Sequence, residues 1–287
     1  MPIASVNSIS INYEIYGHPA GQMLVLINGL ADDLQTWASN IPAFTAAGYR
    51  VLAYDNRGIG RSSRPPGPYT SPQMATDLHA LLDYLDISAF HLLGVSMGGM
   101  IAQSYALKYA NGSAEAKGIE MLSLSLCCTY AQPSIFCERM FALWADMASH
   151  MSVQDVMRDV TLWAFTVPFF LTQPEELREV DEAMKELDMP LEAYLSQLNV
   201  IQDFDSMSAL KYLKTSGKGL GGLADGKVMV LAGDEDILIP VLLSRQLSEA
   251  MPGSLWKTTR GGHGCLWEFP TEFNKVVLDF LNSHATH

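Results

Sequence analysis

Apolar and polar positions alternate along Ile9-Ser10-Ile11-Asn12-Tyr13-Glu14-Ile15-Tyr16, the period of a half-exposed strand at a sheet edge. The pattern then changes to short, almost continuous apolar runs over residues 23–27, 49–54, 89–93 and 119–126. Such runs suit strands buried on both faces. Helical spacing separates them, over residues 37–47, over residues 71–85 with Ser71 as N-cap and Pro72 at the first position, and again from Met100. Strand, helix, strand, helix in this order implies a parallel sheet with helices on both faces. Residues 130–213 break the order. They carry only helical periodicity, interrupted by Pro168, Pro174 and Pro190, and read as an inserted helical lid. A loop with glycines at 217, 219, 221, 222 and 226 leads back. A strand over 227–232, a helix over 240–250, a strand over 254–259 and a helix over 266–282 complete the pattern. The chain thus divides into a first core part (1–129), a lid (130–213) and a second core part (214–287).

Composition narrows the class. A chain of 287 residues, 48% of them hydrophobic, fits one large α/β domain or a domain with an insertion. The net charge of −13 repels phosphate backbones and anionic membranes, which argues against nucleic acid as a partner. No run of 18 apolar residues occurs, and the first seven residues lack the basic and apolar regions of a signal peptide. The four cysteines, Cys127, Cys128, Cys137 and Cys265, show no zinc-site spacing and read as reduced thiols in a cytoplasmic protein.

The candidate chemistry begins at Gly94-Val95-Ser96-Met97-Gly98-Gly99. The serine falls on a sharp turn from a strand into a helix, and the flanking glycines leave room for strained dihedrals. Such an elbow holds a hydroxyl out at the strand end, beside a helix N-terminus. A serine hydroxyl needs a base to act as a nucleophile. Of seven histidines, His263 stands in Gly261-Gly262-His263-Gly264, directly after the last expected strand, where ligands gather in open α/β sheets. An acid must orient that base. Gly233-Asp234-Glu235-Asp236 follows the preceding strand, and Asp236 has the longer reach into the loop.

Serine, aspartate and histidine in this chain order, with Asn28-Gly29 and Asp55-Asn56-Arg57-Gly58 after the earlier strands, resemble an α/β-hydrolase over essentially the whole length. The resemblance implies a mostly parallel eight-stranded sheet flanked by helices, with an inserted helical lid. It also implies a triad of Ser96, Asp236 and His263, and an oxyanion hole made by the backbone N–H groups of Leu30 and Met97. The chain departs from the family at Asn28, where histidine is usual. Asn28 therefore becomes a candidate substrate contact, as do Trp37, Cys128 and the lid residues Trp144 and Trp163, each with core packing as its alternative. Arg57 and Asp55 match the family scaffold and read as structural.

A serine at the elbow points to acyl transfer. Residues 94–103 and 261–268 are most similar to the 3-oxoadipate enol-lactonase-like hydrolases. The expected function is cleavage of a carboxylic ester or lactone of moderate, largely apolar character, without metal or organic cofactor. The alternatives are a C–C bond hydrolase, a non-hydrolytic enzyme of cyclisation or aldol type, and a small-molecule receptor on a hydrolase fold. The oligomeric state is left open.

Overall fold

The structure, a computed structural model, describes residues 2–216 and 219–284. The chain runs β1 (Ile3–Val6), β2 (Ile9–Tyr16), β3 (Met23–Ile27), α1 (Ile41–Ala46), β4 (Arg50–Tyr54), α2 (Ser71–Tyr84), β5 (Ala89–Val95), α3 (Met97–Lys108) and β6 (Glu120–Cys127). A helical insertion follows: α4 (Ile135–His150), α5 (Val153–Ala164), α6 (Val167–Thr172), α7 (Pro174–Glu186), α8 (Leu191–Gln202) and α9 (Met207–Ser216). The sheet then resumes with β7 (Val228–Gly233), α10 (Val241–Ala250), β8 (Leu255–Thr259), α11 (Cys265–Glu268) and α12 (Pro270–Asn282).

One sheet holds all eight strands, in the order β1-β2-β4-β3-β5-β6-β7-β8. β1–β2 and β2–β4 pair antiparallel; every later pair is parallel. The mostly parallel eight-stranded sheet flanked by helices is therefore the observed architecture. β3 is buried at all five positions, as its unbroken apolar run requires. Successive side chains point to opposite faces, so Val25 and Ile27 enter one core, with α2, α3 and the insertion, while Leu24 and Leu26 enter the other. The second core includes Phe44 of α1 and Phe273 and Val277 of α12. Each fully buried side chain of this size contributes about 1.5–3 kcal/mol.

Five details differ from the sequence reading. β1 was not expected; its four residues, Ile3-Ala4-Ser5-Val6, pair with β2 at the sheet edge and bury only Ala4. The expected helix over 37–47 divides into a 3₁₀ turn, Leu34–Trp37, and the short α1. Asp33 caps the turn by accepting the Gln35 N–H. The N-cap of α2 is Thr70 rather than Ser71: Thr70 has the extended backbone of a cap and accepts the Gln73 N–H. Ser71 already lies inside the helix, and its hydroxyl accepts a bond from Ser104 instead. The nucleophile helix begins at Met97, three residues earlier than its apolar spacing suggested. In the expected return loop, α9 extends through Ser216 and a 3₁₀ turn covers Leu220–Gly222; Gly217 lies outside the described residues.

One buried ion pair holds the loop after β4 against α2. Arg57 Nε and Nη2 donate to the two oxygens of Asp77 at 2.6 and 2.7 Å, with both side chains 4% exposed. Removing one partner of such a pair typically costs about 3–5 kcal/mol. Asp55 accepts the backbone N–H groups of Leu34 and Arg61, so Arg57 and Asp55 both serve the scaffold, as the sequence suggested.

Candidate active site

Four loops leave the carboxyl ends of β3, β5, β7 and β8 on one rim of the sheet. They carry Leu30, Ser96, Asp236 and His263. Ser96 stands alone between β5 and α3 with φ 56° and ψ −121°, a conformation that costs a non-glycine residue about 1–3 kcal/mol. Backbone bonds hold it there: Ser96 N–H donates to Cys127 O at 2.9 Å, and the Ser96 carbonyl accepts the Gly99 N–H at 2.9 Å and the Thr129 hydroxyl at 2.9 Å. The neighbouring glycines are sterically required. A Cβ on Gly94 would meet Gly98 O at 2.3 Å, and one on Gly98 would meet Ile27 O at 2.2 Å.

His263 Nδ1 bonds Asp236 Oδ2 at 2.9 Å. Asp236 is buried and its other oxygen accepts the Ile239 N–H, so the carboxylate is fixed at both ends and leaves Nε2 as the free nitrogen of the ring. The glycines beside His263 permit a tight fit. A Cβ on Gly262 would lie 2.6 Å from Ala164 O, and Gly264 N–H donates to the same carbonyl. Glu268 accepts from Gly262 N–H at 2.7 Å and from the Thr166 hydroxyl, which ties the histidine loop to the insertion.

Ser96 and His263 line one cavity of about 930 Å³. No hydrogen bond joins their side chains; a contact of this kind often tightens only in the substrate complex. Its walls are apolar, with Phe141, Trp144, Met157 and Phe165 from the insertion and Leu238 and Leu266 from the core. Leu30 also lines it. The Leu30 N–H has no acceptor among the described residues, and Met97, first in α3, has none within its helix. Two free donors thus stand beside the serine.

Of the remaining candidates, only Trp144 reaches the cavity. Asn28 is fully buried and its amide is occupied: Nδ2 donates to Tyr54 O at 2.9 Å and Oδ1 accepts the Trp37 indole N–H at 2.7 Å. It braces the loop after β3 from within, and the buried Trp37 packs against it. Trp163 is half-buried against Phe136 and donates to Asp159. Cys128 is buried, with its sulfur 3.6 Å from Cys265 Sγ. That hydrogen bond and burial push the Cys128 thiol well above its ordinary range.

Cys128, Asp236 and His263 place ligand atoms within 4.8 Å of one another. Each already has a partner: His263 and Asp236 bond each other, and the Cys128 thiol, raised by its bond to Cys265 and by burial, bonds Cys265.

Three contributions escaped the sequence. Gln197 of α8 is fully buried, and its Oε1 accepts the Ala31 N–H next to the oxyanion loop's Leu30. α7 lines the cavity through Glu176, Glu179, Val180 and Ala183, spaced as one helix face. Asp32 lines it from the oxyanion loop itself. Only Asp32 lay close enough to a recognised motif to have been singled out.

A family model described as alpha/beta hydrolase fold matches residues 22–270. The chain is 25% identical over 276 residues to a putative carbamate hydrolase, RutD, from Caulobacter segnis, covering 94% of this chain and 96% of that protein. The RutD of Azorhizobium caulinodans is 28% identical over 287 residues, covering 98% of each chain. The solved enol-lactonase from Burkholderia xenovorans LB400 superposes with a TM-score of 0.83 at 27% identity, covering 98% of this chain and 100% of that one.

Proposed function

Because the chain belongs to the α/β-hydrolase fold family, we propose that it is a serine hydrolase that cleaves a carboxylic ester or lactone of a moderately sized, largely apolar molecule. One observation carries the reading. A serine held in a strained elbow opens onto the same cavity as a histidine whose Nδ1 is bonded to a buried carboxylate.

In this mechanism Ser96 Oγ attacks the substrate carbonyl carbon while His263 Nε2 takes the hydroxyl proton. Asp236 keeps the ring in the tautomer that leaves Nε2 basic, and then faces the imidazolium that forms. The carbonyl oxygen becomes an oxyanion and receives the N–H groups of Leu30 and Met97; each such donor is worth about 3 kcal/mol of barrier. The carbon–oxygen bond to the leaving group breaks, its electron pair goes to that oxygen, and His263 returns the proton there. Water, deprotonated by His263, attacks the acyl-serine; the bond from the carbonyl to Ser96 Oγ then breaks, His263 returns the proton to Oγ, and the acid leaves.

The helices over residues 130–213 act as a lid. They bring the apolar walls of Phe141, Trp144, Met157 and Phe165 over the serine, and a site shielded from water strengthens each polar contact within it. The neighbours' names support the carbonyl as the reacting group, since lactone and carbamate cleavage both proceed by attack there. Turnover of aryl esters and lactones by the wild type, stoichiometric labelling of Ser96 by a fluorophosphonate, and loss of both in Ser96→Ala test the reading. Ester turnover that survives in Ser96→Ala overturns it.

A further inference from the structure

The carboxyl of Asp32 takes no part in the hydrolysis described above, yet it stands beside the reacting atoms. It lies two residues past Leu30 and lines the cavity with Ser96 and His263. A Cβ placed on Gly29 would sit 2.9 Å from Asp32 Oδ2 and 3.6 Å from Ser96 Cβ, so the carboxyl covers the Gly29 backbone and only a narrow gap separates it from the nucleophile. Among the described residues no lysine or arginine pairs with Asp32. Asp33, Thr36 and His263 are its polar neighbours, and aromatic and aliphatic side chains such as Phe141, Trp144 and Leu266 line the same cavity. Glu176, Glu179 and Glu186 of α7, all exposed, line the outer part of the same space, as does the exposed Arg61.

We propose that Asp32 is the specificity-determining residue of this site: it receives a hydrogen-bond donor, an ammonium or hydroxyl group, carried next to the scissile carbonyl, and it repels substrates that carry a carboxylate at that place. The inference rests on the serine-hydrolase reading. Its physical basis is local. A polar substituent is bound in a largely enclosed site only where a partner awaits it, and Asp32 is placed beside the nucleophile to be that partner. Burial pushes this carboxyl up to about 7, with the charge of Asp33 adding to the rise and His263, Thr36 and the Gly29 N–H opposing it. A cation arriving in the gap displaces the proton and forms a charge-assisted bond. A carboxylate meets like charge or has to keep the proton in place, and the acidic mouth works in the same direction.

The test uses phenyl esters matched in chain length, bearing an α-amino, an α-methyl or an α-carboxylate group, with kcat/KM corrected for uncatalysed hydrolysis. The expected ratio of the amino to the carboxylate ester is about tenfold or more in the wild type and falls to within about threefold of unity in Asp32→Asn. Asp32→Glu, which keeps the charge, restores part of it. Should Asp32→Asn fail to fold, Asp32→Ser and the wild-type ratio decide the matter. A wild-type ratio near unity overturns the inference, as does a ratio that persists without the carboxylate; both leave the hydrolase reading standing. Absence of turnover across the whole panel overturns that reading and this inference together.

Discussion

Gln197 Oε1 accepts the Ala31 N–H at 3.0 Å across 166 positions of sequence, and the same amide donates through Nε2 to Arg57 O at 2.8 Å. Ala31 has φ 58°, a left-handed conformation that alanine avoids. One buried side chain of the insertion therefore holds the strained peptide that follows the Leu30 donor. Gln197→Ala is expected to lower kcat on an aryl ester about ten- to a hundredfold with little change in KM, because a displaced donor is felt in the transition state. Thermal unfolding should show a loss of about 1–3 kcal/mol from the unsatisfied groups. A variant with unchanged kcat would place the oxyanion loop's support elsewhere.

The triad assignment predicts that His263→Ala lowers kcat by about 10⁴-fold or more and Asp236→Asn by a similar order, without additivity in the double variant. Fluorophosphonate labelling of Ser96 should slow in parallel. The Asp236 variant should also lose stability, since its buried oxygens accept from both His263 and Ile239 N–H.

At the elbow, Gly98→Ala is expected to cost several kcal/mol or to prevent folding, because the new Cβ would stand 2.2 Å from a backbone carbonyl. Gly112→Ala provides the contrast. Nothing lies within 4 Å of its Cβ position, so only its left-handed φ of 77° opposes the change. Chemical denaturation of both variants reads the difference.

Acid should weaken the fold through His91. Burial drives this histidine of β5 down to about 4, where it bonds Ser123 of β6 and Gln22 just before β3. The unfolded chain binds the proton at about 6.5 and the folded one does not until about 4. Stability is therefore lost as pH falls through that window, at up to about 1.4 kcal/mol per unit. His91→Gln should flatten the acid side of a stability–pH curve.

Asp32 tilts the same curve the other way. Its carboxyl is raised, so the folded state holds a proton that the unfolded state has already released, and stability declines as pH climbs from about 4 to about 7. Asp32→Asn removes that cost. Its gain in Tm should be larger at pH 8 than at pH 5, at about 2–4 °C per kcal/mol recovered.

What the sequence disclosed, and what it hid, follows from the range of the interactions. The elbow is local: glycine spacing, a strand before it and a helix after it are all written within a dozen residues around Ser96. The continuous apolar runs of β3 and β5 are equally plain, since both faces are covered. β1 escaped notice because four residues at an edge bury one side chain and leave no period to read. Asn28 was placed toward substrate because its neighbour motif lies in the oxyanion loop; its partners, Tyr54 O and the Trp37 indole, belong to the fold's interior. Gln197 and the lining face of α7 act from the far side of the insertion, and nothing near them in sequence marks their role.

α7 forms one wall of the cavity, yet none of its residues is buried. Its Leu177, Val180 and Met184 pack against the core while partly exposed, and its remaining residues are exposed. Its side chains can drift in size and charge while the sheet, the elbow and the histidine loop stay as they are. An exchange on this outward-facing helix would reshape the room above Ser96 while the strands and the histidine loop kept their positions.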